Sequence, residues 1–341
     1  DFYLSLRIAM RGRRVAYVAQ EPALDGAARG AGMKARVRSV RWEAQDILGF
    51  RLEPLPGAHL APFTAGAHVD VALRPGLTRS YSLLNDPREH GAYEIAVQLD
   101  PATRGGSRHI HEEWRAGQLV EVSEPRNNFP LEENSAHTVL VAGGIGITPM
   151  LSMIARLQRL GSSWELHYAV RTRARAAFLD QLAAFAQVHV TIDDEPSTPR
   201  LDLQRLLGSL APQAHAYCCG PAGMLAAYRE HGAHLGKRLH FEYFSADTQP
   251  ACQGGYRLEL QRSGKTLEVK AGETMLDALL NAGVDVGFAC TEGVCGSCRV
   301  PVLHGVPDHR DVFLTQDERD ANDAVMVCCS GARTPSLTLD L

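Results

Sequence analysis

The stretch Cys290-Thr-Glu-Gly-Val-Cys295-Gly-Ser-Cys298 carries three cysteines in a C-x4-C-x2-C spacing, and a fourth, Cys328, follows after 29 further residues. This is the ligand spacing of plant-type [2Fe–2S] clusters, in which one short loop supplies three thiolates. Gly293 and Gly296 lie within the loop and allow positive φ angles, which a backbone wrapped around an inorganic core requires. The spacing therefore predicts a [2Fe–2S] domain at the C-terminal end of the chain.

The fourth ligand and the identity of the metal both have alternatives. Cys329 directly follows Cys328, and we predict that Cys328 is the ligand and Cys329 a buried neighbour. A structural zinc site is the alternative to the cluster. Zinc sites usually pair two C-x2-C knuckles, whereas only Cys295 and Cys298 form one here, which favours iron and sulfur.

Composition limits the class of protein. The chain has 341 residues, of which 45% are hydrophobic, enough for the cores of two to three domains. The net charge is −4 with acids and bases interspersed, so bulk charge indicates no nucleic-acid or membrane partner. No apolar run approaches the length of a membrane span. Half of the eight cysteines are assigned to the cluster, which is typical of redox chemistry in a reducing cytoplasm.

The pattern of strands and helices changes twice along the chain. Short strand-like runs broken by Pro and Gly predict a small antiparallel barrel, and strands alternating with helices, including Ala174–Ala186, then predict a parallel α/β sheet. A last segment, in which Thr274 and Asp277 open a helix as a capping box, contains the cysteine loop. The predicted segments are a disordered or non-native extension (1–32), a barrel (33–134), an α/β domain (135–245), a linker (246–255) and an α+β domain (256–341).

Two short motifs in the barrel segment have residue types that suit a flavin. Arg79-Ser80-Tyr81-Ser82 offers a cation for a phosphate, an aromatic face and a hydroxyl. Gly105-Gly106-Ser107 opens a helix, and helix N-termini bind anions. Each motif alone has an ordinary structural explanation, a surface Arg–Tyr pair or a turn with a serine cap.

Two motifs in the α/β segment suit a dinucleotide. Gly143-Gly144-Ile145-Gly146-Ile147-Thr148-Pro149 follows a buried strand, with Thr148 the predicted N-cap and Pro149 the first residue of the next helix. The context predicts a pyrophosphate loop, although the loop is not the G-x-G-x-x-G fingerprint. Cys219-Gly220-Pro221 ends another strand of the same sheet, where a nicotinamide is expected because ligands bind at the carboxyl ends of parallel strands.

In this order the motifs RSYS, GGS, GGIGITPM, YCCGP, HFEYF and CTEGVCGSC resemble those of the phthalate dioxygenase reductase family, which includes the vanillate O-demethylase reductases and belongs to the ferredoxin–NADP reductase superfamily. The resemblance covers about residues 34–341. It implies three domains: an FMN-binding β-barrel, an NAD(P)-binding α/β domain and a β-grasp ferredoxin domain.

The resemblance also implies roles for individual residues. Ser80 belongs to the flavin-binding motif, and Gly220 and Pro221 to the nicotinamide-binding tip. In the barrel, the resemblance implies that Arg79 neutralises the flavin phosphate, that Tyr81 packs on the isoalloxazine and that Ser82 lies near N5. The phosphate is held by Gly105, Gly106 and Ser107, an arrangement that in this family accompanies FMN rather than FAD. In the α/β domain, Gly144, Gly146 and Thr148 cradle the pyrophosphate, Cys219 and Glu242 border the nicotinamide, and Phe244 shields the flavin until nicotinamide displaces it.

One position departs from the family pattern. NADH-preferring members carry an Asp after the Arg that ends the second strand of the nucleotide domain, and here Thr172 takes its place between Arg171 and Arg173, with Arg175 nearby. An acid at this position binds the ribose and disfavours a 2′-phosphate, whereas arginines accommodate one. The preference of the family favours NADH as the hydride donor, and NADPH is expected to serve as a second hydride donor. The arginines alternatively form a solvated loop.

The resemblance implies that hydride passes from NADH to FMN and that single electrons leave through the cluster. The predicted catalytic positions act by placement and electrostatics, not as a proton relay: Ser82, Cys219, Glu242 and Phe244. The implied acceptor is a Rieske non-haem iron oxygenase, and a diiron or haem oxygenase is the alternative. A non-enzymatic iron–sulfur redox sensor is a further alternative, although it leaves the flavin and nucleotide motifs without a use. We expect a monomeric reductase in the cytoplasm, without nucleic-acid or membrane partners.

Overall fold

The computed structural model describes residues 32–74, 77–100, 105–195, 200–244, 250–288 and 290–341. All but the last residue of the predicted N-terminal extension therefore lie outside the described residues, as does most of the first half of the predicted linker. The described chain divides into two compact units. One contains the chain up to residue 74 and Tyr81–Glu242, and the other contains 77–80 and Tyr243–Leu341.

Six strands from the first third of the chain form one antiparallel sheet. They are β1 (Met33–Ala44), β2 (Ile47–Pro54), β3 (His68–Arg74), β4 (Leu77–Ser82), β5 (Tyr93–Gln98) and β6 (Leu119–Val122), in the order β4-β3-β6-β1-β2-β5. Strand β2 shows the alternation that the fold requires, since Phe50 and Leu52 are fully buried while Arg51 between them is half-buried. Among the described residues of this segment there is one α-helix, α1 (Gly106–Glu113). It ends where Trp114 packs edge-on against Phe50 with 5.3 Å between ring centroids.

The middle of the chain forms a sheet of five parallel strands. They are β7 (His137–Gly143), β8 (Trp164–Val170), β9 (Val188–Ile192), β10 (Ala214–Cys219) and β11 (Leu239–Glu242), in the order β11-β10-β7-β8-β9. The chain leaves the central strand β7 to one side and later returns to its other side as β10. Ligands of such sheets bind in the crevice at the carboxyl ends of the strands where the order reverses, here the ends of β7 and β10.

The helices of the middle segment are α2 (Ile147–Leu160), α3 (Leu179–Leu182), α4 (Leu203–Gly208) and α5 (Ala222–Gly232). The predicted helix Ala174–Ala186 is wrong. Phe178 is buried with φ at 62°, a left-handed conformation that interrupts a helix. The hydroxyl of Tyr168 also accepts the N–H of Ala177 at 3.2 Å. These tertiary contacts leave only the single helical turn α3.

The C-terminal unit contains a mixed sheet that includes one parallel pair, β12 with β18. Its strands are β12 (Tyr256–Leu260), β13 (Thr266–Val269), β14 (Arg299–His304), β16 (Ala324–Met326) and β18 (Ser336–Leu339), in the order β13-β12-β18-β14-β16, and β15 (Pro307–Asp308) pairs separately with β17 (Gly331–Ala332). The helices are α6 (Met275–Asn281) and α7 (Gln316–Ala321). The predicted capping box of α6 is confirmed: Thr274 Oγ1 accepts the N–H of Asp277, and Asp277 Oδ2 accepts the N–H of Thr274 at 2.9 Å.

Candidate functional site

The C-terminal unit brings the four predicted cluster ligands together. Cys290, Cys298 and Cys328 are each at most 4% exposed, and Cys295 is half-buried. The thiols of Cys290 and Cys295 interact with each other electrostatically, and so do those of Cys298 and Cys328. The interaction with Cys290 lowers the pKa of Cys295 to about 5. Four soft sulfur donors that converge in a buried loop fit an iron–sulfur cluster.

Two glycines of the loop are required by its geometry. Gly293 and Gly296 have φ angles of 71° and 76°, in the left-handed region that favours glycine. A Cβ atom on Gly296 would lie 2.3 Å from Cζ of Phe313, and one on Gly293 would lie 2.7 Å from Sγ of Cys329. Larger residues at these positions would push the loop away from its neighbours and spread the thiols.

The contacts of the adjacent cysteines support Cys328 as the fourth ligand. The thiol of Cys328 interacts with that of Cys298, which belongs to the loop. The Sγ atom of Cys329 lies 3.8 Å from the carbonyl oxygen of Met326 and 3.9 Å from Oγ of Ser330. Cys329 also contacts Cys328, so the assignment of the fourth ligand stays a prediction.

The predicted nucleotide loop packs tightly against the tip of β10. A Cβ atom on Gly146 would lie 2.1 Å from the carbonyl oxygen of Cys219, and one on Gly143 would lie 2.5 Å from Cδ of Pro221. Gly144 differs, because it has a φ of 55° and nothing lies within 4 Å of its Cβ position. The loop thus closes one side of the crevice and leaves open space beside Gly144. The predicted binding of a phosphate group in this space stays a prediction.

The predicted cap of the following helix is wrong by two residues. Helix α2 begins at Ile147, directly after a 3-10 turn formed by Gly144–Gly146. Thr148 and Pro149 therefore already lie inside the helix, because the 3-10 turn runs straight into it. The hydroxyl of Thr148 donates to the carbonyl oxygen of Ile145 at 3.0 Å. Thr148 thus fixes the loop, and its predicted contact with the pyrophosphate stays a prediction.

Cys219 and Glu242 are neighbours at the carboxyl ends of β10 and β11, as partners in the parallel register. Oε2 of Glu242 is buried, and no described residue hydrogen-bonds to it. Burial raises the pKa of Glu242 to about 8 and raises that of Cys219 well above its ordinary value. A buried carboxyl oxygen without a partner fits a site completed by a ligand with hydrogen-bonding groups, such as the carboxamide of nicotinamide.

The rest of the tip is consistent with close backbone approach. A Cβ atom on Gly220 would lie 2.9 Å from Sδ of Met224 and 3.1 Å from Cα of Gly143. Pro221 is the residue before α5, and its carbonyl oxygen accepts the N–H of Leu225 at 3.0 Å. Glycine at position 220 therefore lets the two loops meet at the switch point.

At the other end of the crevice, two of the arginines near Thr172 are already paired. Arg173 makes a bidentate ion pair with Glu195, with N···O distances of 2.6 and 2.7 Å. Arg175 donates from Nη2 to Oδ2 of Asp46 at 2.8 Å. Thr172 itself is extended and half-buried at the end of β8. These partners were not apparent in the sequence, because the two acids are remote from the arginines along the chain.

The flavin motif occupies strand β4. Ser82 is buried, and Tyr81 is half-buried and packs against the core of the antiparallel sheet. Ser80 is half-buried, and Nη1 of Arg79 donates to the carbonyl oxygen of Thr78 at 2.8 Å. Their predicted flavin contacts stay predictions, as does that of Phe244, whose side chain is 38% exposed just after β11.

The turn before α1 has the features of an anion site. Gly105 has a φ of 96° and precedes the first residue of the helix, Gly106, which is buried. Oγ of Ser107 accepts the N–H of Asp100 at 3.2 Å. Nη2 of Arg74, at the end of β3, lies 3.3 Å from the Cβ position of Gly105, so a guanidinium stands beside the helix N-terminus. Arg74 was missed in the sequence because nothing in its local pattern links it to the glycine turn.

Comparisons with known proteins agree with this geometry. The model of the 2Fe-2S iron-sulfur cluster binding domain matches residues 258–333, and that of the oxidoreductase NAD-binding domain matches residues 140–230. The chain is 48% identical over 320 residues to the phenoxybenzoate dioxygenase subunit beta of Ectopseudomonas oleovorans, covering 93% of this chain and 100% of that protein.

Two solved structures also match. Phthalate dioxygenase reductase, described as a modular structure for electron transfer from pyridine nucleotides to [2Fe–2S], is 38% identical with a TM-score of 0.76, covering 91% of this chain and 98% of that one. An intact type IV self-sufficient cytochrome P450 monooxygenase is 39% identical with a TM-score of 0.76, and the chain spans 41% of its length. The predicted multi-domain fold and the predicted oxidoreductase class are confirmed. Among the described residues, no helix has the length and apolar character of a membrane span.

Proposed function

This chain belongs to the phthalate dioxygenase reductase family, and we propose that it is the reductase component of a Rieske non-haem iron oxygenase. Its substrates are NADH and the oxygenase. Its cofactors are FMN and the [2Fe–2S] cluster. FMN accepts hydride as an electron pair and releases single electrons, and the cluster carries one electron at a time. The residues of this chain bind and orient these groups.

The observation that carries the proposal is the pairing of two sites in one chain. Three thiols of a glycine loop converge with that of Cys328, and a parallel sheet offers an open glycine loop at its switch point. A zinc protein needs only the first site. A redox sensor needs no crevice with a buried carboxyl oxygen, such as Oε2 of Glu242, to which no described residue hydrogen-bonds. Only a nicotinamide-dependent reductase uses both.

The flavin phosphate has a candidate site at the N-terminus of α1. The backbone N–H groups after Gly105 are not used within the first turn of the helix, and the guanidinium of Arg74 adds positive charge beside them. By resemblance to the family, Arg79 is a further proposed cation for the flavin phosphate. This arrangement provides for one phosphate group, which suits FMN.

An anaerobic titration of the purified holoprotein with NADH tests the reductase function. FMN holds two electrons and the cluster one, so full bleaching requires about 1.5 equivalents of NADH. Cys298→Ser, which removes a cluster ligand, should lower the requirement to about 1 equivalent while flavin bleaching remains. Cys252→Ser is the matched control, because Cys252 is half-buried and lies outside the cysteine loop, and it should behave as the unaltered protein. Failure of NADH to bleach the flavin would refute the proposal.

The oxygenase class requires a separate experiment. Relatives named as dioxygenase components favour a Rieske partner, and the match to a self-sufficient cytochrome P450 makes a haem acceptor the second candidate. NADH-dependent reduction of a purified Rieske oxygenase component and of a purified cytochrome P450 should be compared at equal concentrations. Faster reduction of the Rieske component supports the proposal, and faster reduction of the P450 overturns this part of it while leaving the reductase function intact.

A further inference from the structure

Three side chains with metal-binding atoms project from one face of the parallel sheet, away from the nucleotide crevice. Glu165 and His167 are two residues apart on β8, so their side chains lie on the same face. His189 on the edge strand β9 is the direct partner of His167 in the parallel register. We propose that Glu165, His167 and His189 form a binding site for a divalent transition-metal ion, with Zn²⁺ as the ion that their donor atoms suit.

The three donor atoms are already close enough for a shared ion. One ligand atom from each residue lies within 4.8 Å of the other two. Nε2 of His167 is 3.5 Å from Oε1 of Glu165. Two ligands of a tetrahedral zinc ion, at 2.0–2.2 Å from the metal, are about 3.3–3.5 Å apart. The distance between His167 and Glu165 thus already matches this value, and the ligand atom of His189 lies within 4.8 Å of both.

The degree of burial of the three side chains suits such a site. The side chains of His167 and Glu165 are 18% and 29% exposed, whereas His189 is exposed and open to an ion from solvent. The rings of His167 and His189 stack with centroids 4.9 Å apart and planes at 28°. Nε2 of His167 is buried, and no described residue hydrogen-bonds to it. A metal ion would give this buried nitrogen a ligand bond, whereas among the described residues it has only its 3.5 Å contact with Oε1 of Glu165.

His137 is placed to orient the carboxylate ligand. It lies on the neighbouring strand β7, where its Nδ1 is hydrogen-bonded to Oγ of Ser163 at 2.7 Å. Its Nε2 lies 3.8 Å from Oε1 of Glu165, which is within ion-pair distance but too long for a hydrogen bond. Polar groups beside a ligating side chain tune metal affinity. Two histidines and one glutamate also form a donor set that is common for zinc and leaves a fourth position open to solvent.

The site lies on the face opposite the predicted nicotinamide residues. In the sheet register, Ala142 pairs with both Cys219 and Tyr168, so the side chains of these three residues lie on one face. His167 precedes Tyr168 in β8, and its side chain therefore lies on the opposite face. An ion on this face ties the edge strand β9 to β8 without entering the crevice. Zn²⁺ should therefore leave the KM for NADH unchanged while slowing hydrogen exchange in β9.

The test is zinc binding to holoprotein free of any histidine tag. Titration with ZnCl2, with metal analysis after dialysis, should give one zinc ion per chain in addition to the cluster iron. His189→Ala and Glu165→Gln should each lower the affinity at least tenfold. His234→Ala is the matched control, because His234 is an exposed histidine elsewhere in the same domain, and it should bind as the unaltered protein does. The visible spectrum confirms that the cluster is intact in every sample.

Two outcomes overturn the proposal. The first is the absence of zinc uptake by the unaltered protein. The second is uptake that persists in His189→Ala with the same stoichiometry and affinity, which would place the ion at the cysteines or at other histidines. Hydrogen exchange provides a second measurement: zinc should slow exchange of the β9 amides at least tenfold in the unaltered protein and have no effect on them in His189→Ala.

Discussion

Gly144→Ala tests whether the open loop after β7 binds the nucleotide. The residue has a φ of 55°, and no atom lies within 4 Å of its Cβ position. An added methyl group therefore meets no protein atom and instead occupies the space that we assign to the pyrophosphate. Gly161 is the matched control at the other end of α2, since it has a φ of 65° and equally open surroundings.

Both substitutions introduce backbone strain, but only Gly144→Ala should also weaken the binding of the phosphate. Alanine in a left-handed conformation costs about 1–2 kcal/mol relative to glycine, and this cost falls on both variants. At Gly144 the methyl group should also displace the phosphate from the backbone, which loses a charge-assisted hydrogen bond worth about 1.5–3 kcal/mol. Since 1.4 kcal/mol is tenfold in affinity, the Kd for NADH should rise by about 10- to 150-fold.

The assay compares three holoproteins: the unaltered protein, Gly144→Ala and Gly161→Ala. Thermal unfolding should show a similar fall in Tm for both variants, and their flavin and cluster spectra should match that of the unaltered protein. The Kd for NADH should rise only in Gly144→Ala. Equal Kd values in the two variants would show that Gly144 does not face the pyrophosphate and would refute the assignment of the loop.

Four further predictions concern the other parts of the site. Cys328→Ser should abolish the visible cluster absorption while Cys329→Ser retains it, and the reverse result would exchange the two assignments. Arg79→Ala should lower the ratio of flavin to protein after dialysis, because a charge-assisted phosphate contact contributes about 1.5–3 kcal/mol, and the mass of the released flavin decides between FMN and FAD. Thr172→Asp should widen the ratio of kcat/KM for NADH over NADPH by about tenfold through repulsion of the 2′-phosphate, and an unchanged ratio would show that residue 172 does not face the ribose. Glu242→Gln should raise Tm more at pH 9 than at pH 5. The pKa of the carboxyl is raised from 4.5 to about 8 in the folded protein, so the folded state is destabilised relative to the unfolded state as pH rises through that range, and glutamine removes this effect. A difference in Tm that does not depend on pH would contradict the burial of Glu242.

The sequence was most informative where function depends on local spacing. The cysteine loop and its two glycines were predictable, since a cluster requires particular residues at short, fixed distances along the chain. The capping box at Thr274 was predictable for the same reason, because its partner Asp277 is three residues away. In both cases the interacting groups are close in sequence, so the pattern contains the contact.

Contacts between distant residues account for what the sequence did not predict. Arg173 and Arg175 resembled a cluster free to accept a 2′-phosphate, but Glu195 and Asp46 hold them from elsewhere in the chain. Tertiary contacts likewise broke the predicted helix at Phe178. The proposed metal site was missed altogether, because its histidines meet only through strand pairing.

The paired arginines bear directly on nucleotide preference. A 2′-phosphate at Thr172 would have to compete with Glu195 for Arg173, whose two hydrogen bonds to that carboxylate are already short. The same carboxylate would repel the phosphate if the pair opened. The pairing therefore favours NADH even though the family's Asp is absent.

The predicted nicotinamide end of the crevice has a different electrostatic character. Burial raises the pKa of Glu242 to about 8 and that of Cys219 well above its ordinary value, so burial favours the uncharged form of both groups. A fixed carboxylate there would bind the positively charged oxidised nicotinamide more tightly than the neutral reduced ring and would slow its release. Uncharged hydrogen-bonding groups discriminate less between the two forms. Hydride transfer to a flavin also needs no proton from the protein, and this part of the chain is therefore suited to position the ring without acid–base chemistry.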